Sequence, residues 1–315
     1  MAALPHRPLG SSGLDVSVLA LGSWRTYERI PRDQAVAVMA EARERGIDFL
    51  DDARYDDSTG TAPLRTGYSE VLFGELFRTV GWRRDEVVVS NKLWWEFWPE
   101  EPAAHELDAS LGRMRFDYVD LIYATPPPAG LEIAEVVREV GGLIAAGKAR
   151  AWAAAMWSGE QIATAARIAR DEGIAPPCAV QTAYNVVERH PVEDADFVDA
   201  LDAAPAAVVA SAPLAYGALT GKYRLAGTAG RIAGELDEPA HQAAIAAAEP
   251  LAELAAGLGT TAAALAIAFA LSNPRVASVL FGATRPEQVA ANVEAVSVLA
   301  RLGDAELAAL RAIAA

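Results

Sequence analysis

Eight short runs rich in β-branched and small apolar residues recur along this chain, and a helix-period segment follows each one. The runs lie near residues 17–21, 46–50, 86–91, 118–123, 149–154, 178–182, 206–210 and 276–281. The helical patterns lie near 33–45, 69–80, 102–114, 131–146, 158–172, 192–203, 260–272 and 286–299. Strands separated by helices pair in parallel, because each needs a long crossover to reach its neighbour, and that crossover is right-handed. Eight such units predict an α/β fold, a (β/α)8 TIM barrel forming one domain over residues 1–315. Its reactive groups belong at the C-terminal ends of the strands. Residues 5–16, with Gly10-Ser11-Ser12-Gly13 between two short runs, predict a β-hairpin ahead of the barrel. Residues 224–238 are Gly-rich and aperiodic, which predicts a long loop after the seventh strand, of the kind that serves as a lid. Residues 240–257 and 303–313 predict extra helices toward the C-terminus.

With 315 residues, 52% of them hydrophobic, the chain can bury a sizeable core. A net charge of −15 repels phosphate backbones, so nucleic acid and anionic membrane are not expected partners. No uninterrupted apolar stretch suits a membrane span, and Met1-Ala2-Ala3-Leu4-Pro5-His6-Arg7 lacks the apolar core of a leader. A cytoplasmic protein is expected, monomeric or homo-oligomeric, acting on a small molecule. Cys178, the single cysteine, lies in an apolar run and reads as a small buried hydrophobe. His6, His105, His190 and His241 have no ligand spacing, so no metal site is expected. Of the four, His190 lies beyond the sixth strand, near the expected barrel mouth.

Three of the runs lead into residues that can do chemistry. Gly46 to Leu50 leads into Asp51-Asp52-Ala53-Arg54-Tyr55, Glu86 to Asn91 into Lys92, and Tyr118 to Ala124 into Thr125. Singly, an Asp at a strand end is as readily a helix cap, and a Lys there a solvated surface group. Together they can surround one reaction centre. Asp51 would pair with Lys92, and the ammonium would lower the pKa of an adjacent phenol. Such a phenol can protonate a carbonyl oxygen as hydride arrives at carbon. Trp94, Trp95, Phe97 and Trp98 follow Lys92 and either wall a substrate pocket or pack the loop.

The stretch Gly46 to Tyr55 resembles the second-strand motif of the aldo-keto reductases, and matches to that family extend over nearly the whole chain. Arg7 to Ser17 with Leu21-Gly22-Ser23-Trp24 is similar to the family's opening. Ser69-Glu70 with Gly74-Glu75 resembles its second helix, and Leu111 with Asp117 to Leu121 its fourth strand. Gln181 with Tyr184-Asn185 resembles the sixth strand, and Gly282-Ala283-Thr284 with Gln288 and Asn292 the last strand and helix. The most specific match is Pro213-Leu214-Ala215-Tyr216-Gly217-Ala218-Leu219-Thr220-Gly221-Lys222-Tyr223. The resemblance implies an NADPH-dependent oxidoreductase that reduces a small carbonyl compound or a related C=N or C=C bond. It implies a catalytic set of Asp51, Tyr55, Lys92 and Thr125. It implies cofactor contacts from Gly22, Ser23, Trp24, Gln181, Ser211, Pro213, Leu214, Gly217, Leu219, Lys222, Gly282, Thr284, Arg285, Gln288 and Asn292. Phosphates need backbone N–H groups, a helix N-terminus or a cation. Gly217 to Lys222 offers these, and Thr284-Arg285 at the start of the last barrel helix can take a 2′-phosphate. Gln288 and Asn292, a turn apart, can reach an adenine. The motif Gly-x-Gly-x-x-Gly is absent, which disfavours a Rossmann site.

The departures from the family cluster at the nicotinamide end. Thr125 stands where the family has histidine, and it can donate one hydrogen bond but not titrate near neutrality. Tyr55 is four residues after Asp51 rather than the family's five, with Asp56 at the expected place and Tyr68 as a second candidate phenol. Ala155-Met156 replaces the Ser-Asn pair that holds the nicotinamide amide, removing hydrogen bonds of roughly 1 kcal/mol each. Ser211-Ala212 precedes Pro213 where an aromatic residue is expected to stack on the ring. Two further readings follow from these changes. One is an NADP(H)-binding protein with little hydride transfer, acting as a sensor or partner subunit. The other is a redox-neutral lyase or isomerase on the same scaffold, using Lys92 and a tyrosine as acid and base.

Overall fold

The computed structural model describes residues 4–224, 228 and 230–314. An antiparallel hairpin comes first, β1 (His6–Pro8) paired with β2 (Asp15–Ser17). Eight parallel strands then close a barrel: β3 (Leu19–Gly22), β4 (Phe49–Asp51), β5 (Val88–Leu93), β6 (Val119–Ala124), β7 (Ala149–Ala155), β8 (Ala179–Ala183), β9 (Ala207–Ser211) and β10 (Val276–Phe281). Each strand pairs with the next in sequence, and β10 returns to β3, so no edge is left open. The predicted (β/α)8 barrel with an N-terminal hairpin is the observed architecture.

Seven crossover helices and a closing one surround it: α1 (Arg32–Glu44), α2 (Tyr68–Val80), α3 (Ala103–Met114), α4 (Ile133–Ala145), α5 (Gly159–Glu172) and α6 (Ala195–Ala203) follow β3 to β8. After β9 come α7 (Pro239–Gly257), an extra helix, and the crossover α8 (Ala262–Ser272). After β10 come α9 (Pro286–Val293), α10 (Ala295–Leu299) and α11 (Asp304–Ala312). Local chemistry sets these limits. In α5, Ser158 accepts from the Gln161 N–H as N-cap, and Gly173 ends the helix in the left-handed region. Among the described residues no single helix is long and apolar enough to cross a membrane.

Two expected elements are redrawn. The run at 46–50 yields a strand only from Phe49, because Gly46 turns the chain at φ +79° and the Asp48 carboxylate accepts from the Ser17 N–H instead of extending the sheet. The helix expected at 286–299 is two helices that meet at Glu294. In the loop expected at 224–238, residues 225–227 and 229 lie outside the described residues.

The core has two compartments. Side chains between sheet and helices form the larger one. The barrel interior forms the other, and the hairpin contributes to it: Leu9, Leu14 and Val16 are buried with Phe49, Leu121, Tyr123 and Val209. Burying a residue such as Leu9 fully stabilises by about 1.5–3 kcal/mol. Gly10 lets the hairpin seat, since it has φ +53° and a Cβ there would lie 2.0 Å from the Cys178 carbonyl oxygen. Arg7 fastens the hairpin from outside, its Nη1 donating to the Leu271 and Val276 carbonyls. The hairpin therefore seals the N-terminal end of the barrel, and chemistry is left to the opposite mouth.

Candidate active site

Asp51 ends β4, and Lys92 lies near the end of the adjacent β5, both pointing into the barrel mouth. Asp51 is 2% exposed and Lys92 5%. The Lys92 Nζ donates to both Asp51 oxygens, at 2.8 and 2.6 Å. Asp51 Oδ1 also accepts from Ser90 Oγ at 2.8 Å and from Gln181 Nε2 at 3.2 Å. A buried ion pair holds only when its remaining hydrogen-bonding capacity is met, and Ser90 and Gln181 meet it here.

Tyr55 completes the group, with Lys92 Nζ 3.2 Å from its hydroxyl. Its shortened spacing from Asp51 is accommodated by the start of α2. Ser69 Oγ donates to the Ala53 carbonyl and accepts from the Tyr55 N–H, while the Gly67 N–H donates to the Tyr55 carbonyl. An Asp56–Thr66 bridge pinches off the loop beyond, so the extra residues bulge outward. Tyr68 lies at the start of α2 and lines a shallow cleft with Tyr55, Glu28, Asp56, Asp57, Ala62 and Ser69. Of the two candidate phenols, Tyr55 is the one bonded to Lys92.

The expected direction of the Tyr55 pKa is reversed. Burial raises it well above the usual phenol value, and the carboxylates of Asp51, Asp52 and Glu70 add to the rise against a smaller opposing effect of Arg231. The Lys92 charge is already met by Asp51, so the phenol sits among buried acidic side chains rather than beside a free cation. It is held as a protonated donor.

Thr125 is 3% exposed and donates its hydroxyl to the Leu93 carbonyl at 2.7 Å. The hydrogen bond expected to serve the reaction centre is thus spent on closing β5 to β6. The aromatic run divides. Trp94 meets the Tyr55 ring edge-on at 6.1 Å, Trp95 is buried with its Nε1 donating to the Thr125 carbonyl, and Phe97 is 44% exposed. Glu106 fixes the run by accepting from the Trp94 and Trp95 N–H groups.

The other expected residues ring the same mouth. Gly22 ends β3 with Ser23 and Trp24 just after it, Gln181 lies on β8, and Ser211 ends β9. Pro213 and Leu214 follow β9 and lead into short 3-10 turns that hold Gly217, Leu219 and Lys222, where Leu219 is fully buried in the core. Gly217 has φ +96°, and a Cβ there would lie 2.7 Å from the Lys222 side chain, so the lysine stem lies against bare backbone. Gly282 follows β10. The N–H groups of Thr284 and Arg285 both donate to Gln288 Oε1, so that amide caps α9 rather than standing free. Asn292 is 4% exposed on the same helix. Met156 is 58% exposed at φ +60°. Its left-handed backbone recurs at Arg25, Trp95, Ala212 and Tyr216, all in loops at this mouth, where strain commonly serves function. His190 is a surface residue paired with Asp194.

Two residues escaped the sequence reading. Asp52 is fully buried, accepts from Ser23 Oγ, and leaves its Oδ2 without a partner among the described residues. Burial and the Glu70 charge push its carboxyl well above the usual range. The unusual Asp51-Asp52 pair was its only signal. Arg231 reaches from the loop after β9 across the mouth, donating to Thr26 Oγ1 at 2.7 Å. A Cβ on Gly282 would lie 2.1 Å from its Nη2, and its guanidinium lies 5.9 Å from the Trp24 ring. Burial pulls its pKa down. Nothing in the aperiodic loop sequence singled it out.

A closed parallel barrel with a buried acid, lysine and tyrosine at its C-terminal mouth defines an aldo/keto reductase-type protein. The model of the aldo/keto reductase family matches residues 18–315, and the chain belongs to that family. Among curated relatives, a probable voltage-gated potassium channel subunit beta of Oryza sativa subsp. japonica is 32% identical over 311 residues, covering 94% of this chain and 92% of the relative. The Arabidopsis thaliana protein of the same description gives the same figures. A putative voltage-gated potassium channel subunit beta of Schizosaccharomyces pombe is 32% identical over 318 residues, covering 95% and 90%.

Proposed function

We propose that this protein is an NADPH-dependent oxidoreductase that reduces a small carbonyl compound, or a related C=N or C=C bond, with Tyr55 as proton donor. One observation carries the reading: the Tyr55 hydroxyl lies 3.2 Å from a buried Lys92 that is itself paired with buried Asp51. The residues at the mouth fit a dinucleotide. Lys222 and Arg231 each lie against a glycine, Gly217 and Gly282, and cations laid on bare backbone suit phosphate. Trp24, Lys222, Arg231, Thr284 and Arg285 would hold the cofactor at that side, with Gln181 toward the ring. NADPH, when bound, supplies the hydride. The protonated Tyr55 gives its proton to the substrate oxygen from the cleft it lines. The Lys92 ammonium then stabilises the tyrosinate, and Asp51 keeps that ammonium in place. Trp94 shields the phenol on one side.

Fluorescence titration with NADPH, followed by a spectrophotometric carbonyl panel, tests this. Binding with oxidation of NADPH is expected. Tyr55→Phe should keep the binding and lower turnover by about 10²–10⁴-fold, the usual worth of a positioned acid. Absence of NADPH binding would overturn the reading and leave the redox-neutral lyase or isomerase.

A second reading has its own support. Thr125 spends its proton on Leu93, Ala155 and Met156 bring no side-chain hydrogen-bond donors, and the relatives are named as channel subunits. On this reading the chain binds NADP(H) and acts as a sensor or partner subunit. Tight binding without oxidation across the panel selects it.

A further inference from the structure

Lys92 has a neighbour beyond Asp51 and Tyr55. Tyr123 on β6 stands opposite it in the strand register, and the Lys92 Nζ lies over the Tyr123 ring, 5.4 Å from its centre. The Tyr55 ring centre is 5.7 Å from the same nitrogen. Tyr123 is fully buried in the barrel interior. The next strand makes room for so large a ring: Ala153 pairs opposite it, and Ala151 and Ala155 lie in the same interior compartment.

Hydrogen bonding accounts poorly for a phenol in this place. Its hydroxyl is buried near Asp51 and within weak reach of the Gln181 side chain, but among the described residues none meets it in good hydrogen-bond geometry. A poorly paired buried hydroxyl is destabilising, and a purely apolar interior would favour a side chain without one. What the ring does offer is a negative π face within the range at which an ammonium is held. Asp51 and Tyr55 accept hydrogen bonds from Lys92, whereas the Tyr123 face meets it from the β6 side.

We propose that Tyr123 is a positioning residue, whose ring face holds the Lys92 ammonium in register with Asp51 and Tyr55 by a cation–π contact. Without that face the ammonium would sample positions away from the phenol, and a tyrosinate formed there would lose its counter-charge. The turnover consequence rests on the reductase reading, whereas the placement of Lys92 does not.

The test replaces Tyr123 with phenylalanine and, separately, with 3,4,5-trifluorophenylalanine, which has nearly the same shape and a depleted π face. The chain has three lysines, Lys92, Lys148 and Lys222, so their ¹⁵Nζ shifts can be read individually through the carbon-bound side-chain protons of the intact protein. Tyr123→Phe should keep the Lys92 shift and the wild-type kcat. The fluorinated variant should move the Lys92 shift, leave Lys148 unmoved, and lower kcat about tenfold at unchanged KM for NADPH. Identical Lys92 shifts in the phenyl and fluorinated variants would overturn the proposal. If the wild type oxidises no NADPH, the reductase reading fails, and the Lys92 shifts still decide the role of Tyr123.

Discussion

Removing Asp51 and Lys92 one at a time should hurt the protein more than removing both. Asp51→Asn leaves an ammonium 5% exposed without a carboxylate. Breaking a buried pair from one side costs about 3–5 kcal/mol, much of it the uncompensated charge. Lys92→Met leaves a carboxylate that keeps Ser90 Oγ at 2.8 Å and Gln181 Nε2 at 3.2 Å. Its cost should be smaller, about 1–3 kcal/mol, in the range of one or two hydrogen bonds to a charged group. The double variant holds no buried charge at this place and should unfold within about 2 kcal/mol of wild type. The four proteins form a thermodynamic cycle measurable by urea unfolding at one pH and compared at equal m-values. A coupling of at least about 2 kcal/mol is expected. Additivity within about 0.5 kcal/mol would mean that the two groups do not sense each other, and would refute the pairing on which the active-site reading stands.

Three further outcomes follow from the structure. The raised pKa of Asp52 means that the folded protein keeps a proton that the unfolded chain releases near pH 3.9, so this residue lowers stability progressively as pH rises from about 4 toward the folded value. Asp52→Asn should flatten melting temperature against pH above about 4, and a curve parallel to wild type would count against a neutral Asp52. Thr125→Val should lose about 1 kcal/mol through the Leu93 hydrogen bond while kcat stays within about twofold, and a large loss of kcat in a stable variant would give Thr125 a chemical role after all. Gly10→Ala should destabilise far more than Gly13→Ala, although both have positive φ, because only the first puts a Cβ against backbone. Equal denaturant midpoints would contradict the close seating of the hairpin.

The barrel was legible because its signal is repeated: each strand–helix unit carries its own periodicity, and eight in a row admit few topologies. Asp51, Lys92 and Gln181 were legible for a related reason, since strand ends in a barrel converge. Tyr55 was ambiguous in sequence because its placement depends on Ser69 and Gly67, fourteen and twelve residues further on, which clip its loop to α2. The direction of its pKa was misread because a pattern shows neighbours but not burial, and burial is the largest cause of the shift. Arg231 was invisible for the opposite reason. An arginine in an aperiodic loop carries no sign of the side of the barrel it will reach. Thr125 showed its departure from the family but not the carbonyl that takes its proton.

The sealed hairpin end has a kinetic consequence. Leu9, Leu14 and Val16 pack into the floor of the barrel, so that among the described residues the end opposite Lys92 is filled by side chains. Whatever reaches Tyr55 must enter and leave through the one mouth that Trp24, Arg231 and the loop after β9 also border. On the reductase reading, a cofactor whose ring lies deep in that mouth and a substrate lodged above it would therefore queue. Substrate bound before the cofactor would have to wait out its own dissociation, and steady-state kinetics should show compulsory order with NADPH arriving first and its oxidised form departing last.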